Sequence, residues 1–146
     1  MIAKEPFPKV YLYRRIVYAK LFIDEHFAEN IDLNNIAGEA FFSKYHFIRL
    51  FTDVYKKTPH QYLSQTRIDK AMQLLAEGMP ATGASYAVGF ESASSFTGLF
   101  KRITGQTPSA YRLQQQEKVK AMAKTPLNFI PNCFAEKNGW RKVSGE

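Results

Sequence analysis

SKYHFIRLFTDV, residues 43–54, places Phe47, Leu50, Phe51 and Val54 at i, i+3, i+4 and i+7, the spacing of one helix face. Those four residues form a stripe predicted to be buried, while Tyr45, Ile48, Arg49 and Thr52 turn outward on a short, basic and aromatic face. A second stretch, SASSFTGLFKRI at 92–103, echoes the first. Displacing the sequence by forty-nine positions lays Phe47 on Phe96, Leu50 on Leu99, Phe51 on Phe100, Thr58-Pro59 on Thr107-Pro108 and Tyr62 on Tyr111. The chain repeats one small helical unit.

Before the first copy, Leu12, Ile16, Ala19, Ile23 and Phe27 recur every three or four positions and predict an amphipathic helix from about residue 11 to 27, packed as a lid. Asp32 is placed to cap a short helix that turns Leu33, Ile36, Ala37 and Ala40 inward, and Ser43 caps the next. Two short helices joined through 40–43 have the spacing of a helix-turn-helix. Lys56 stands where Gly105 stands in the second copy, so it is expected at positive φ, costing roughly 1 kcal/mol relative to glycine.

Thr58-Pro59-His60-Gln61 combines a hydroxyl cap, a proline whose missing N–H is harmless at the first position, and a glutamine spaced for a capping box. From Pro59 to Ala76 the residues Tyr62, Leu63, Ile68, Ala71, Met72, Leu74 and Leu75 keep helical spacing, and Gly78 ends the helix. About eighteen residues at ~1.5 Å each make a rod of ~27 Å, against ~34 Å between successive major-groove faces of duplex DNA. PATGASYAVGF, residues 80–90, holds the place of the short helix, but Thr82, Gly83 and Ser85 form helices poorly, so a short, weakly held one is expected. Thr107-Pro108 opens a last helix running toward Lys124, and Pro126 and Pro131 break the chain beyond it.

With 146 residues and 45% apolar content, the chain is long enough for one domain or two very small lobes. The net charge of +7 fits a polyanionic partner. It is not spread evenly, because residues 15–113 carry eleven Lys/Arg against nine Asp/Glu, so affinity there depends on local placement of charge. A single cysteine, Cys133, forms no internal disulfide, and no Cys/His cluster has zinc spacing. The start has no apolar core of a signal peptide, and no run of about eighteen apolar residues occurs. A cytoplasmic protein without a membrane partner is expected.

The second copy, GFESASSF..LFKR.TG.TPSAYR from Gly89 to Arg112, closely resembles the signature of the AraC-type (AraC/XylS) bacterial transcription regulators, and SKYHFIRLF with IDLNNIA upstream resembles that family's first helix-turn-helix. The pattern Arg67…Ala71…Leu74-Leu75 matches the linker between them. The resemblance implies an all-α fold of about seven helices, two homeodomain-like helix-turn-helix lobes on one long linker helix. It places a first lobe at 15–57, the linker at 58–77 and a second lobe at 80–112, with an arm at 1–14 and a helical extension and tail at 113–146. It implies a sequence-specific regulator, mostly an activator, that inserts helices 43–54 and 92–103 into adjacent major grooves of double-stranded DNA and presents a surface to RNA polymerase. One copy per asymmetric site is expected, as a monomer or weak homodimer.

Family contacts carry over to Lys44, Tyr45, Ile48, Arg49 and Thr52 in the first lobe. An arginine such as Arg49 can fork two N–H groups onto guanine O6 and N7, worth ~1–3 kcal/mol of discrimination. Tyr45 and Ile48 suit thymine methyls or sugars. In the second lobe the matching positions are Ala93, Ser94, Thr97 and Gly98, and many relatives carry a long polar side chain where Gly98 stands. Gly98 reads no base, so the first lobe is expected to read sequence while the second clamps phosphate through Lys101, Arg102 and helix N-terminal amides. The plain alternative for each of these residues is an ordinary solvated surface position. Most family members also carry a ligand-binding or dimerising domain, for which the flanks leave no room; a minimal regulator or a fragment of a longer one is expected.

No catalytic, metal or cofactor site is read from the sequence. His26, His46 and His60 have no partner at ligand spacing, and no nucleophile sits beside a base in a local motif. DNA-repair alkyl transfer, the enzymatic use of this fold, needs reactive cysteines near the domain, whereas Cys133 lies in the tail. A competing reading makes the chain a degenerate helix-turn-helix module that binds a partner protein through its second lobe. In the tail, Leu127, Phe129, Ile130, Phe134 and Trp140 either fold back over the second lobe or form a patch for association.

Overall fold

Two aromatic cores are strung on one helix. The computed structural model describes residues 10–34, 43–125, 131 and 139, and within them every regular element is a helix. These are α1 (Val10–His26), α2 (Lys44–Tyr55), α3 (Pro59–Ala76), α4 (Ala81–Ala87), α5 (Ala93–Thr104) and α6 (Pro108–Lys124). The expected helix after Asp32 begins with Leu33 and Asn34, and the Asp32 carboxylate accepts from the Asn34 N–H at 2.9 Å. Its inward positions Ile36, Ala37 and Ala40 lie outside the described residues, as do the arm 1–9, Cys133 and the apolar tail residues named above.

Helices α2, α3, α5 and α6 start where a side chain can take a free N–H group of the first turn. Ser43 accepts from His46 N–H at 3.1 Å, Ser92 from Ser95 N–H at 3.2 Å, and Thr107 from Ala110 N–H at 3.2 Å. At α3 the box is reciprocal: Thr58 Oγ1 accepts from Gln61 N–H at 3.1 Å, and Gln61 Oε1 accepts from Thr58 N–H at 3.0 Å. Gly78, at φ +104, closes α3 with its N–H on the Leu75 carbonyl and the Met79 N–H on that of Leu74.

The first core gathers Leu12, Ile16, Ala19 and Ile23 of α1, Phe47 and Phe51 of α2, and Leu63 of α3. The second gathers Ile68, Ala71 and Leu75 of α3, Ala84 and Val88 at α4, and Phe96 and Phe100 of α5. Phe27 packs against both. The internal repeat is reproduced in the rings: Tyr62 meets Phe51 edge-on at 5.8 Å, and Tyr111 meets Phe100 edge-on at 5.8 Å. Tyr62 adds a tie to the lid, its hydroxyl donating to Asp24 at 2.7 Å while Lys20 pairs with Asp24 at 2.6 Å.

Val54 departs from the expected stripe, standing 39% exposed. The last turn of α2 is closed instead by Tyr55, whose ring lies 4.9 Å from Phe51 and 5.9 Å from Tyr62. Periodicity alone extends the stripe one turn too far. The weak helix at 80–90 spans the seven residues of α4, and its Pro80 cap makes no side-chain hydrogen bond.

Candidate nucleic-acid interface

Phe47 and Phe51 are buried, so α2 has one rotational setting, and that setting decides which side chains face solvent. Tyr45 is 74% exposed, and Lys44 and Arg49 are exposed beside it. Arg49 makes no hydrogen bond or ion pair with the described residues, which leaves its five N–H donors to solvent. Ile48 and Thr52, expected on the same outer face, are half-buried. Ile48 leans on the first core, and the Thr52 hydroxyl donates back to the Ile48 carbonyl at 2.7 Å.

On α5 the same logic holds with smaller side chains. Phe96 and Phe100 are buried; Ser94, Thr97, Gly98, Lys101 and Arg102 are exposed. A methyl group added at Gly98 would meet nothing within 4 Å. No packing among the described residues calls for glycine there, and its helical position costs about 1 kcal/mol relative to alanine. Lys101 and Arg102, in the last turn, complement the negative end of the helix and make no ion pair among the described residues.

Two surface clefts flank the start of α3. One, ≈ 470 Å³, is lined by Lys44, Phe47 and Ile48 of α2 together with Ile31–Asn34 and Thr58–His60. The other, ≈ 450 Å³, is lined by Lys57, His60, Gln61 and Gln65 on one side and by Leu99, Arg102 and Ile103 of α5 on the other. His60 borders both, so it sits between α2 and α5. The second cleft brings Lys57, His60 and Arg102 together with no carboxylate among its lining residues. Sequence reasoning missed Lys57 and His60. The local signal for Lys57 was its place in the dibasic pair before the Thr58 cap; His60 carried none.

Arg67, the first residue of the linker pattern, faces inward. Its Nε donates to the Phe27 carbonyl at 2.7 Å, a terminal nitrogen donates to the Glu29 carbonyl at 3.0 Å, and burial lowers its pKa. Arg112 donates from Nε to the Gly78 carbonyl at 3.1 Å, fastening α6 to the end of α3. Among the described residues no three His, Cys, Asp or Glu side chains gather in a way that could hold a metal ion, and no helix is long and apolar enough to cross a membrane.

A family model described as a helix-turn-helix domain matches residues 36–114, more than half of the chain. The Photobacterium leiognathi protein described as a probable transcriptional regulator, LumQ, is 35% identical over 92 residues, 62% of this chain and 37% of its own length. The chain thus spans little more than a third of that curated relative. Among solved structures, the DNA-binding domain of the global transcriptional factor AdpA in complex with a target DNA superposes with a TM-score of 0.64 at 26% identity, covering 77% of this chain and 96% of that one. An AraC-type transcriptional regulator from Chromobacterium violaceum shares the fold, with a TM-score of 0.62 at 23% identity over 70% of this chain and 93% of its own. The matched span runs through α2, the linker α3 and the helices α4 and α5, and the chain belongs to the AraC-type helix-turn-helix family.

Proposed function

We propose that the chain binds double-stranded DNA sequence-specifically and regulates transcription, with α2 and α5 entering adjacent major grooves. The observation that carries this reading is the state of Arg49 and Tyr45: both project from a helix whose opposite face is locked in the core, and neither is engaged by the described residues. The likeness to AdpA, whose domain is solved on its target DNA, supports it. Arg49 reads a guanine edge, Tyr45 and Ile48 press on thymine methyls or sugars, and Lys44 and Thr52 hold the neighbouring backbone. On α5, Ser94 and Thr97 reach the groove with little side chain, while Lys101 and Arg102 hold phosphates. The first lobe therefore discriminates and the second clamps. The chain acts by binding rather than by catalysis, as an activator that offers RNA polymerase a surface, one copy or a weak homodimer to a site.

Selection from random duplexes tests this. The expected outcome is one strongly specified half-site and one weakly specified half-site, bound roughly 10³-fold or more tighter than random duplex. Equal, weak binding to every duplex would sink the regulator reading and favour a protein-binding module. The row Tyr11, Val17, Tyr18 and Leu21, exposed on the outside of α1, would serve such a module from the first lobe, in place of the second lobe expected from the sequence.

A further inference from the structure

We infer that Arg67, together with the missing side chain at Gly89, fixes how the two lobes are set against each other and thereby which half-site spacing the chain accepts; the second clause rests on the function proposed above. Arg67 leaves α3 near its middle, between Leu63, which belongs to the first core, and Ile68, which belongs to the second. Its two hydrogen bonds end on Phe27 and Glu29, in the turn after α1 of the first lobe. Its guanidinium lies over the ring of Phe90, 5.6 Å from the centroid, and Phe90 packs on the second core. One planar group thus touches both lobes and the rod between them.

Gly89 completes the contact from the other side. Its φ is +94, and a Cβ there would lie 2.8 Å from the Ala28 carbonyl oxygen and 3.0 Å from that of Phe27. The backbone of the second lobe's turn therefore rests directly on the backbone of the first lobe's turn, and any side chain would wedge them apart. The carbonyls of Phe27 and Glu29 that receive Arg67 bracket Ala28, the residue that Gly89 touches. A lysine can offer a point charge to one carbonyl but neither the fork nor the flat face.

A small loss of this setting has a large consequence on DNA. A swing of about 15° over ~13 Å, half the linker rod, displaces a recognition helix by ~3.4 Å, the rise of one base pair. Arg67 and Gly89 are positioning residues in this sense, since neither needs to touch the nucleic acid.

The test uses the full chain with Cys133→Ser and nitroxide labels at Tyr45→Cys and Ser94→Cys, without DNA. The expected result is a single narrow inter-label distance that broadens roughly twofold in Arg67→Ala and in Gly89→Ala, with Arg67→Lys between. In the unlabelled chain, affinity is then measured on duplexes whose half-site spacing differs by one base pair. The parent is expected to favour one spacing about tenfold and Arg67→Ala to fall to near parity. Widths unchanged in both Gly89→Ala and Arg67→Lys, checked as folded by circular dichroism, would overturn the inference, so it does not hang on Arg67→Ala surviving. If the parent binds no duplex specifically, the proposed function fails while the distance widths still decide the lock.

Discussion

Lys56 and Gly105 occupy the same left-handed corner at the ends of α2 and α5, at φ 62, ψ 16 and φ 85, ψ −4, each sending its N–H back four residues, to the carbonyls of Thr52 and Lys101. Both turns need positive φ, and only Gly105 meets that need without a Cβ against the neighbouring carbonyl. The Lys56 ammonium does donate to the Asp53 carbonyl at 2.9 Å, but that contact is exposed and offsets little. Lys56→Gly is expected to stabilise the chain by roughly 1 kcal/mol and to raise Tm by about 3 °C. A lower Tm would show that the lysine contact outweighs the backbone strain.

Tyr62 makes the stability of the first lobe depend on alkaline pH. Burial, and then its bond to the Asp24 carboxylate, push the phenol up from 10.0 to about 12. A raised folded pKa means that the folded chain keeps a proton the unfolded chain gives up near pH 10.0. The stabilisation is whole below that pH and is lost as pH rises through about 12. Lys20, also raised, chiefly by its bond to Asp24, loses its charge in the same direction. Urea unfolding across this window is expected to show a decline that Tyr62→Phe flattens. At neutral pH that substitution costs roughly 0.5–1.5 kcal/mol. An identical decline in both proteins would place its origin elsewhere.

The helices and the buried phenylalanines were legible because they rest on local signals: hydroxyl caps, Pro59 and Pro108 at first positions, Gly78 at a helix end, and apolar spacing. Val54 misled because periodicity does not say which residue at a helix end has something to pack on, and Tyr55 reaches Phe51 and Tyr62 where Val54 does not. Ile48 and Thr52 sit on the flank of the wheel beside Tyr55, where about 20° separates half-buried Thr52 from exposed Tyr45. The partners of Arg67 and the cleft around Lys57 join residues about forty positions apart, and no local pattern encodes such a pairing.

The proposed base reading by Arg49 of α2 and phosphate holding by Lys101 of α5 are separable by substitution. Arg49→Ala removes a fork of donors, so the preference at one or two base positions is expected to flatten, with a loss of ~1–3 kcal/mol on the selected site and little change on random duplex. Lys101→Ala removes only charge and is expected to weaken both duplexes alike. Competition binding of each variant on the selected and scrambled sites distinguishes the two. An unchanged preferred sequence in Arg49→Ala would remove that residue from the interface.

Lys57 tests whether the cleft between α3 and α5 meets the backbone that runs from one groove to the next. Lys57, His60 and Arg102 border that cleft without a carboxylate, and Lys57 itself is exposed, so it adds positive potential there without a partner among the described residues to lose. A lysine that neutralises one phosphate releases its condensed counterion, and the dependence of log K on log salt carries that count. Lys57→Ala is therefore expected to lower the slope by about 0.9 and to weaken selected and random duplexes by the same factor. The base pattern is expected to stay as it was if Lys57 meets only the phosphate backbone. A salt titration that gives the parent slope for Lys57→Ala would remove the cleft from the interface and confine phosphate contacts to the ends of the recognition helices.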